Sequence, residues 1–387
     1  MMKQYLLILS GLLFFVTGSA QVNENEENAP DAPSKQGLAT AGFSAVKKNT
    51  CTPVKDQSRT GTCWSFAGTS LVESQAIKQK AGTLDLSEMY AVRQIYIEKA
   101  KNYILRQGNA TFSQGALGHD LIQAFARYGI MPESAYKGLP KGNTSYDHDE
   151  LFRKLKRYVD STLKTAKAGS LTADWTPGYI RLLDEYMGVV PDKFNYNGKQ
   201  YSPAVFAREV VRFSADDYVS VTSFTHHPYQ QSFMLEVPDN FSNGRYMNLP
   251  LSQLIQYTQQ AVSNGYTVLW DADVSNAGFD AKAGLALHIS AIPPGESLHL
   301  DLKEDNWNAE RRQQLFENLT TQDDHLMHIV GVEKDKAGRL FFIVKNSWGN
   351  IGPYNGYVHV SEAYFAMNTI SLIFPKASLP PGIDEKR

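Results

Sequence analysis

Cys63 is one of only two cysteines in the chain, and it lies in the stretch TPVKDQSRTGTCWSFAGTS, residues 52–70. It follows Thr60-Gly61-Thr62 and opens an apolar run at helical spacing: Phe66, Ala67, Leu71, Val72, Ala76 and Ile77. A thiol in a first helical turn lies among unpaired backbone N–H groups at the positive end of the macrodipole. Both favour thiolate over thiol. A partner imidazole that takes the proton would complete a nucleophile. Gly61 allows close backbone approach beside it. Gln57, six residues before Cys63 on the preceding loop, could add its side-chain amide to the Cys63 N–H as an oxyanion hole. A Cys51–Cys63 disulfide would mask this thiol, and a chain of 387 residues needs no such staple. Both cysteines are therefore expected free, with Cys51 a small buried side chain.

Gln57, Gly61, Cys63 and Trp64, followed by Ser65-Phe66-Ala67, resemble the nucleophile signature of papain-like cysteine peptidases. The resemblance implies a histidine and an asparagine far downstream on a β subdomain. Asp324-His325 opens the strand-like HLMHIVGV, and Asn346 lies in KNSWG at the end of the next strand-like run. The implied roles are Cys63 as nucleophile, His325 as base and acid, Asn346 orienting the imidazole through its amide oxygen, and Trp348 shielding that bond. His328 competes with His325. The two are three residues apart, so on a strand they face opposite ways and only one can meet Cys63. The family places its histidine six residues before a strand glycine, which fits His325 and Gly331. Gly115 and Ala116 match a substrate-binding backbone segment of relatives, and Trp64 and Trp348 complete the implied substrate-binding set.

Within the family, the chain looks like the bleomycin-hydrolase and bacterial aminopeptidase C branch. Thr60 stands where other members carry a disulfide cysteine, and NGYTVLWDADVSNAGF, RRQQLFENLTTQDDHLMH and VKNSWGNIGPYNGYVHVSEAYF resemble that branch. The resemblance implies a peptide substrate, an aminopeptidase, and a homo-oligomer, hexameric in relatives. It also implies a C-terminal segment lying in the cleft, its carboxylate meeting the free amine of the substrate. An endopeptidase with the same machinery, or a catalytically silent peptide-binding protein, are the alternatives.

These residues need two supports. Helical patterns occupy residues 63–81, 86–105 and 121–128, and strand patterns dominate after residue 214, in DYVSVTSF, YTVLWDADVS, HLMHIVGVEKDKAGRLFFIVKNSW and GYVHVS. The expected fold class is α+β: a papain-like pair of subdomains, one helical and one antiparallel β, with the cleft between them and a helical insertion. The boundaries read as a signal peptide over 1–20, a disordered linker over 21–45, a helical subdomain with the nucleophile over 46–136, a mainly helical insertion over 137–213, a β subdomain with His325 and Asn346 over 214–375, and a C-terminal tail over 376–387.

Lys3, the apolar run YLLILSGLLFFV and the small residues Gly18-Ser19-Ala20 form the signal pattern, with Gln21 first after the cut. The expected location is periplasmic or secreted, with no membrane contact in the mature form. A net charge of −2 gives no reason to expect nucleic acid. No cofactor is expected. No metal is expected at His226-His227 either: neighbours on a strand point apart, and no carboxylate or cysteine cluster was evident beside them.

Overall fold

The computed structural model describes residues 42–140, 142–171 and 173–383. The expected signal segment, and the linker as far as residue 41, lie outside the described residues. The linker ends earlier than expected. Phe43–Lys48 is strand β1, held by the Phe43 ring stacked 4.6 Å from His359 and edge-on to Phe341 at 5.0 Å.

The helical half follows. It comprises α1 (Cys63–Lys78), α2 (Glu88–Leu105), α3 (Gly118–Tyr128), α4 (Asp149–Lys167) and α5 (Thr176–Met187). A hairpin, β2 (Phe194–Tyr196) and β3 (Lys199–Tyr201), turns at Asn197 and Gly198, both at positive φ, and leads to the short α6 (Pro203–Phe206). Ser87 caps α2 by accepting from the Tyr90 N–H at 3.1 Å. The insertion has no core of its own. Leu151, Leu155, Val159, Tyr179, Leu183 and Phe206 join the hydrophobic cluster that holds Trp64, Val92 and Tyr96.

The second half is built on strands β4 (Tyr218–Thr222), β5 (Ser232–Met234), β6 (Arg245–Asn248), β7 (Val268–Ala272), β8 (Phe279–Asp280) and β9 (Leu285–Ala286). It continues through β10 (His325–Asp335), β11 (Leu340–Lys345), β12 (Tyr357–Ser361) and β13 (Thr369–Pro375). Helices α7 (Leu251–Ser263), α8 (Ala309–Glu317) and α9 (Glu362–Asn368) lie between them. The strands form one open sheet in the order β5-β6-β4-β13-β7-β10-β11-β12-β9-β8, with β1 on β10. Pairing is antiparallel except for β4 with β6 and β9 with β12.

Period-two alternation divides the central strands between two cores. Leu269, Leu326, Ile370 and Ile373 face the helical half, while Trp270, Met327, Ile329, Leu372 and Phe374 face α7 and α9. Strand β10 is the hinge of the layout: its first half pairs with β7 and its second half with β1. Where the partner changes, a Cβ on Gly331 would lie 2.7 Å from the Lys47 carbonyl oxygen, so only glycine fits.

The terminal carboxylate that the resemblance places in the cleft lies outside the described residues, but the tail as far as Ile383 takes another direction. Leu379 and Ile383 pack into the second core with Leu251, Leu254 and Ile255, on the sheet face opposite α1. The chain is drawn there because two apolar side chains find cover beside α7. Ile383→Ala is therefore expected to destabilise by roughly 2 kcal/mol, the low end for a buried isoleucine because a chain end can relax. Chemical denaturation checks this; an unchanged midpoint would show that the tail is not docked.

Candidate active site

Helix α1 carries Cys63 as its first residue, on the floor of a cavity of about 490 Å³. Gln57, Gly61, Gln114, Gly115, Ala116, Asp239, Asp323, His325, Leu326 and Trp348 are among the residues that wall it. Thirteen of the sixteen residues of α1 are buried, so the helix is not amphipathic; it is wrapped by the helical half on one side and by β10 on the other.

The loop before α1 is shaped by hydrogen bonds. Thr60 Oγ1 donates to the Gln57 carbonyl at 2.8 Å and shares a 2.6 Å hydrogen bond with Thr62 Oγ1. Gln57 Nε2 donates to the Thr60 carbonyl at 2.7 Å, which leaves its second N–H for the cavity. Gln57 Oε1 accepts from Ser347 Oγ at 2.6 Å, and the Gln57 N–H donates to the Ser347 carbonyl at 2.9 Å. The loop bearing Gln57 and the loop bearing Asn346 are thus one unit.

His325 opens β10 and is buried. Its Nε2 lies 2.7 Å from Asn346 Oδ1, and the Trp348 ring stacks 4.5 Å from the imidazole at 30°. Asn346 Oδ1 also accepts from the Ser347 N–H at 2.7 Å, which fixes the amide with its oxygen toward the ring. The neutral imidazole then carries its proton on Nε2, and Nδ1 is the basic nitrogen. His328 lies with Leu326 on the α1 side of β10, farther along the helix than Cys63. Its Nδ1 meets Ser70 Oγ at 2.9 Å, two turns along α1 from Cys63, and Ser70 Oγ also accepts from Lys345 Nζ at 2.7 Å.

Burial, the largest influence on each group, pushes the Cys63 thiol up to about 12 and the His325 imidazole down to about 4. The backbone N–H groups of Leu326 and Trp64 pull the thiol the other way without prevailing. The helix-start N–H groups and burial thus act on Cys63 in opposite senses. Two opposite charges side by side would offset the burial that penalises either one alone.

The other candidates are placed as follows. Gly115 and Ala116 line the cavity, with the Gly115 carbonyl occupied by Lys99 Nζ. Trp348 lines it too. Trp64 does not: it is fully buried, and its indole N–H donates to the Gln114 carbonyl at 3.1 Å, so it supports the rim from behind. Gln114, whose Oε1 accepts from the Gly61 N–H at 2.8 Å, and Ser347 escaped the sequence reading because their partners lie 53 and 290 residues away. Both cysteines are free, and Cys51 is half-buried against the Tyr357 hydroxyl at 3.4 Å.

His226 and His227 require a correction. They lie in a turn, not a strand, and both Nε2 atoms reach Glu236, at 3.2 and 2.8 Å. Gln313 Oε1 accepts from the Thr225 N–H at 2.6 Å, so its amide NH₂ faces His226 Nδ1 at 2.9 Å. That donor makes Nδ1 the acceptor and leaves the proton on Nε2, donated to Glu236. The trio is a hydrogen-bonded set whose His226 nitrogen is not available to a metal.

Residues 14–386 match the Peptidase C1-like family. The chain is 23% identical over 367 residues to aminopeptidase C of Streptococcus thermophilus, covering 84% of this chain and 80% of that one. It is 23% identical over 369 residues to aminopeptidase W of Lactobacillus delbrueckii subsp. lactis, covering 85% and 82%. The solved structure of PepW from Lactobacillus rhamnosis superposes with a TM-score of 0.71 at 19% identity, covering 88% of this chain and 84% of that one, a likeness of fold. With a free buried thiol, an imidazole–amide pair and a two-layer fold around one cavity, the chain belongs to the Peptidase C1-like family, as a cysteine-type peptidase of the bleomycin-hydrolase and aminopeptidase C branch.

Proposed function

We propose that the chain is an aminopeptidase in which Cys63 is the nucleophile, His325 the base and acid, Asn346 the orienting group and Gln57 an oxyanion donor. The observation that carries this reading is the 2.7 Å His325–Asn346 bond, because it leaves Nδ1 of an imidazole on the cavity wall free for the Cys63 proton. Proton transfer gives a thiolate–imidazolium pair. The thiolate attacks the scissile carbonyl carbon, and the oxyanion takes the Cys63 N–H and the spare Gln57 N–H. His325 Nδ1–H protonates the departing amine as the C–N bond breaks, leaving a thioester. Water then gives its proton to Nδ1 and attacks the thioester, which releases the acid and restores the thiol. Cleavage from the N-terminus, rather than within the chain, is supported by relatives named aminopeptidases C, W and G. We also propose export through residues 1–20, on the sequence pattern alone.

The proton transfer is tested by alkylation. At about pH 6 the Cys63 of His325→Ala should react with iodoacetamide on the order of 10²-fold more slowly, because an isolated buried thiol stays protonated there. His328→Ala should keep the fast labelling and lose stability. Equal slowing in both variants would mean that His325 has no special relation to the thiol.

The exopeptidase reading is tested by product analysis. Free-amine peptides should release single residues in order from the N-terminus, and N-acetylated copies should resist. Early internal fragments from the acetylated copies would favour an endopeptidase. Export predicts that N-terminal sequencing of the protein recovered outside the cytoplasm starts at Gln21; a retained Met1 there would exclude the proposed cut.

A further inference from the structure

One wall of the cavity beside Cys63 is made of carboxyl groups. Asp239 and Asp323 both line it. Asp239 Oδ1 accepts from Ser113 Oγ at 2.7 Å, while Oδ2 projects over Gly115, so closely that a Cβ there would lie 1.7 Å from it. Behind Asp323 stands Asp271 of β7. It alternates with Trp270 and Ala272, which face α7 and α9, so it points toward the helical half and the cleft. Asp271 is 1% exposed, and Ser371 Oγ donates to its Oδ2 at 3.0 Å. Its Oδ1 and the buried Oδ2 of Asp323 find no other donor, and the two carboxyls are within hydrogen-bonding reach of each other.

Two facing carboxyl oxygens this close need a proton between them, which leaves Asp239 and the cavity side of Asp323 to meet an incoming cation. Burial and the charge of Asp239 push the Asp323 carboxyl up to about 7, and burial with Asp323 pushes Asp271 well above its usual range. Protein cations do not meet the demand: among the described residues none of Asp239, Asp271 and Asp323 forms an ion pair. Lys99 feels Asp239 and Asp323, yet donates to Ser113 Oγ at 3.0 Å and to the Gly115 carbonyl. A metal ion does not fit either, since among the described residues only His226, His227 and Glu236 bring three ligand atoms within 4.8 Å of one another. What fits is a compact cation that brings its own N–H donors on a mobile molecule.

We propose that Asp239 and Asp323, backed by Asp271, receive the α-ammonium group of the peptide substrate and thereby set which peptide bond lies over Cys63. This rests on the aminopeptidase reading and supplies its selectivity. It also gives the cleft a negative group from its own wall, since the described tail, with Leu379 and Ile383, docks on the far face of the sheet. When the ammonium arrives at Asp239 and the cavity side of Asp323, the proton shared by Asp271 and Asp323 leaves to solvent, so that Asp323 meets it as a carboxylate.

The test compares alanyl- and propionyl-amidomethylcoumarin, which match in shape except for the amine. They are assayed on the wild type, Asp239→Asn and Asp323→Asn, with rates normalised to active sites titrated by an epoxysuccinyl inhibitor so that misfolded molecules are not counted. The wild type should prefer the alanyl substrate, and each variant should shrink that preference by at least about tenfold, through KM for the alanyl substrate. A wild-type preference kept intact in both variants overturns the wall and leaves the aminopeptidase reading standing. A wild type without any preference sinks the reading itself, and the wall with it. Variants that lose rate only on N-acetylated peptides carrying lysine would assign the wall to a side-chain ammonium, which also overturns the proposal.

Discussion

Ser70 is the point on which the two halves of the molecule agree. Its hydroxyl meets His328 Nδ1 on β10 and Lys345 Nζ on β11, and Lys345 continues to Thr52 Oγ1 at 3.1 Å. Thr52 donates to Glu73 of α1 at 2.5 Å, and Glu73 accepts from the Leu86 N–H at 2.8 Å. The chain of contacts is buried throughout, where each unmade hydrogen bond costs the full desolvation of its group. It ties the middle of α1 to the two strands that carry His325 and Asn346. Seven residues back along α1 stands Cys63, on the same helix face, and three back along β10 stands His325. The relation of thiol to imidazole is thus set by a polar brace beneath them as much as by the apolar packing around them. A helix hidden on every side has no amphipathic stripe to orient it, so directional bonds take over that task.

What could be read from the residues beforehand follows the same division. Local chemistry was legible: the helix opening at Cys63 and the Asn197-Gly198 turn are each settled within a few positions. Long-range partnerships were not. Trp64 reads as a substrate contact because it adjoins Cys63, yet the helix turns it inward under Gln114. Asp239, Asp271 and Asp323 lie on three separate segments and become a group only when β7 meets β10. The burial of the thiol was hidden for a related reason. The helix dipole is visible in a sequence, whereas the burial that outweighs it is a property of the assembled fold.

Gly331 shows how a family spacing can have a steric origin. Within the interval from His325 to Gly331, β10 pairs with β7 over the five residues 325–329, and at Gly331 β1 takes its place. The glycine marks where the Lys47 backbone crosses closest. The interval between imidazole and glycine therefore measures the width of a neighbouring strand's claim on β10, and a side chain at residue 331 would push β1 away.

The docking of Leu379 and Ile383 against α7 puts the end of the described chain and the mouth of the cleft on opposite faces of the sheet. Attachment and access are then spatially independent. A tether attached at residue 383 would start on the face turned away from the open groove, clear of the path of an incoming peptide.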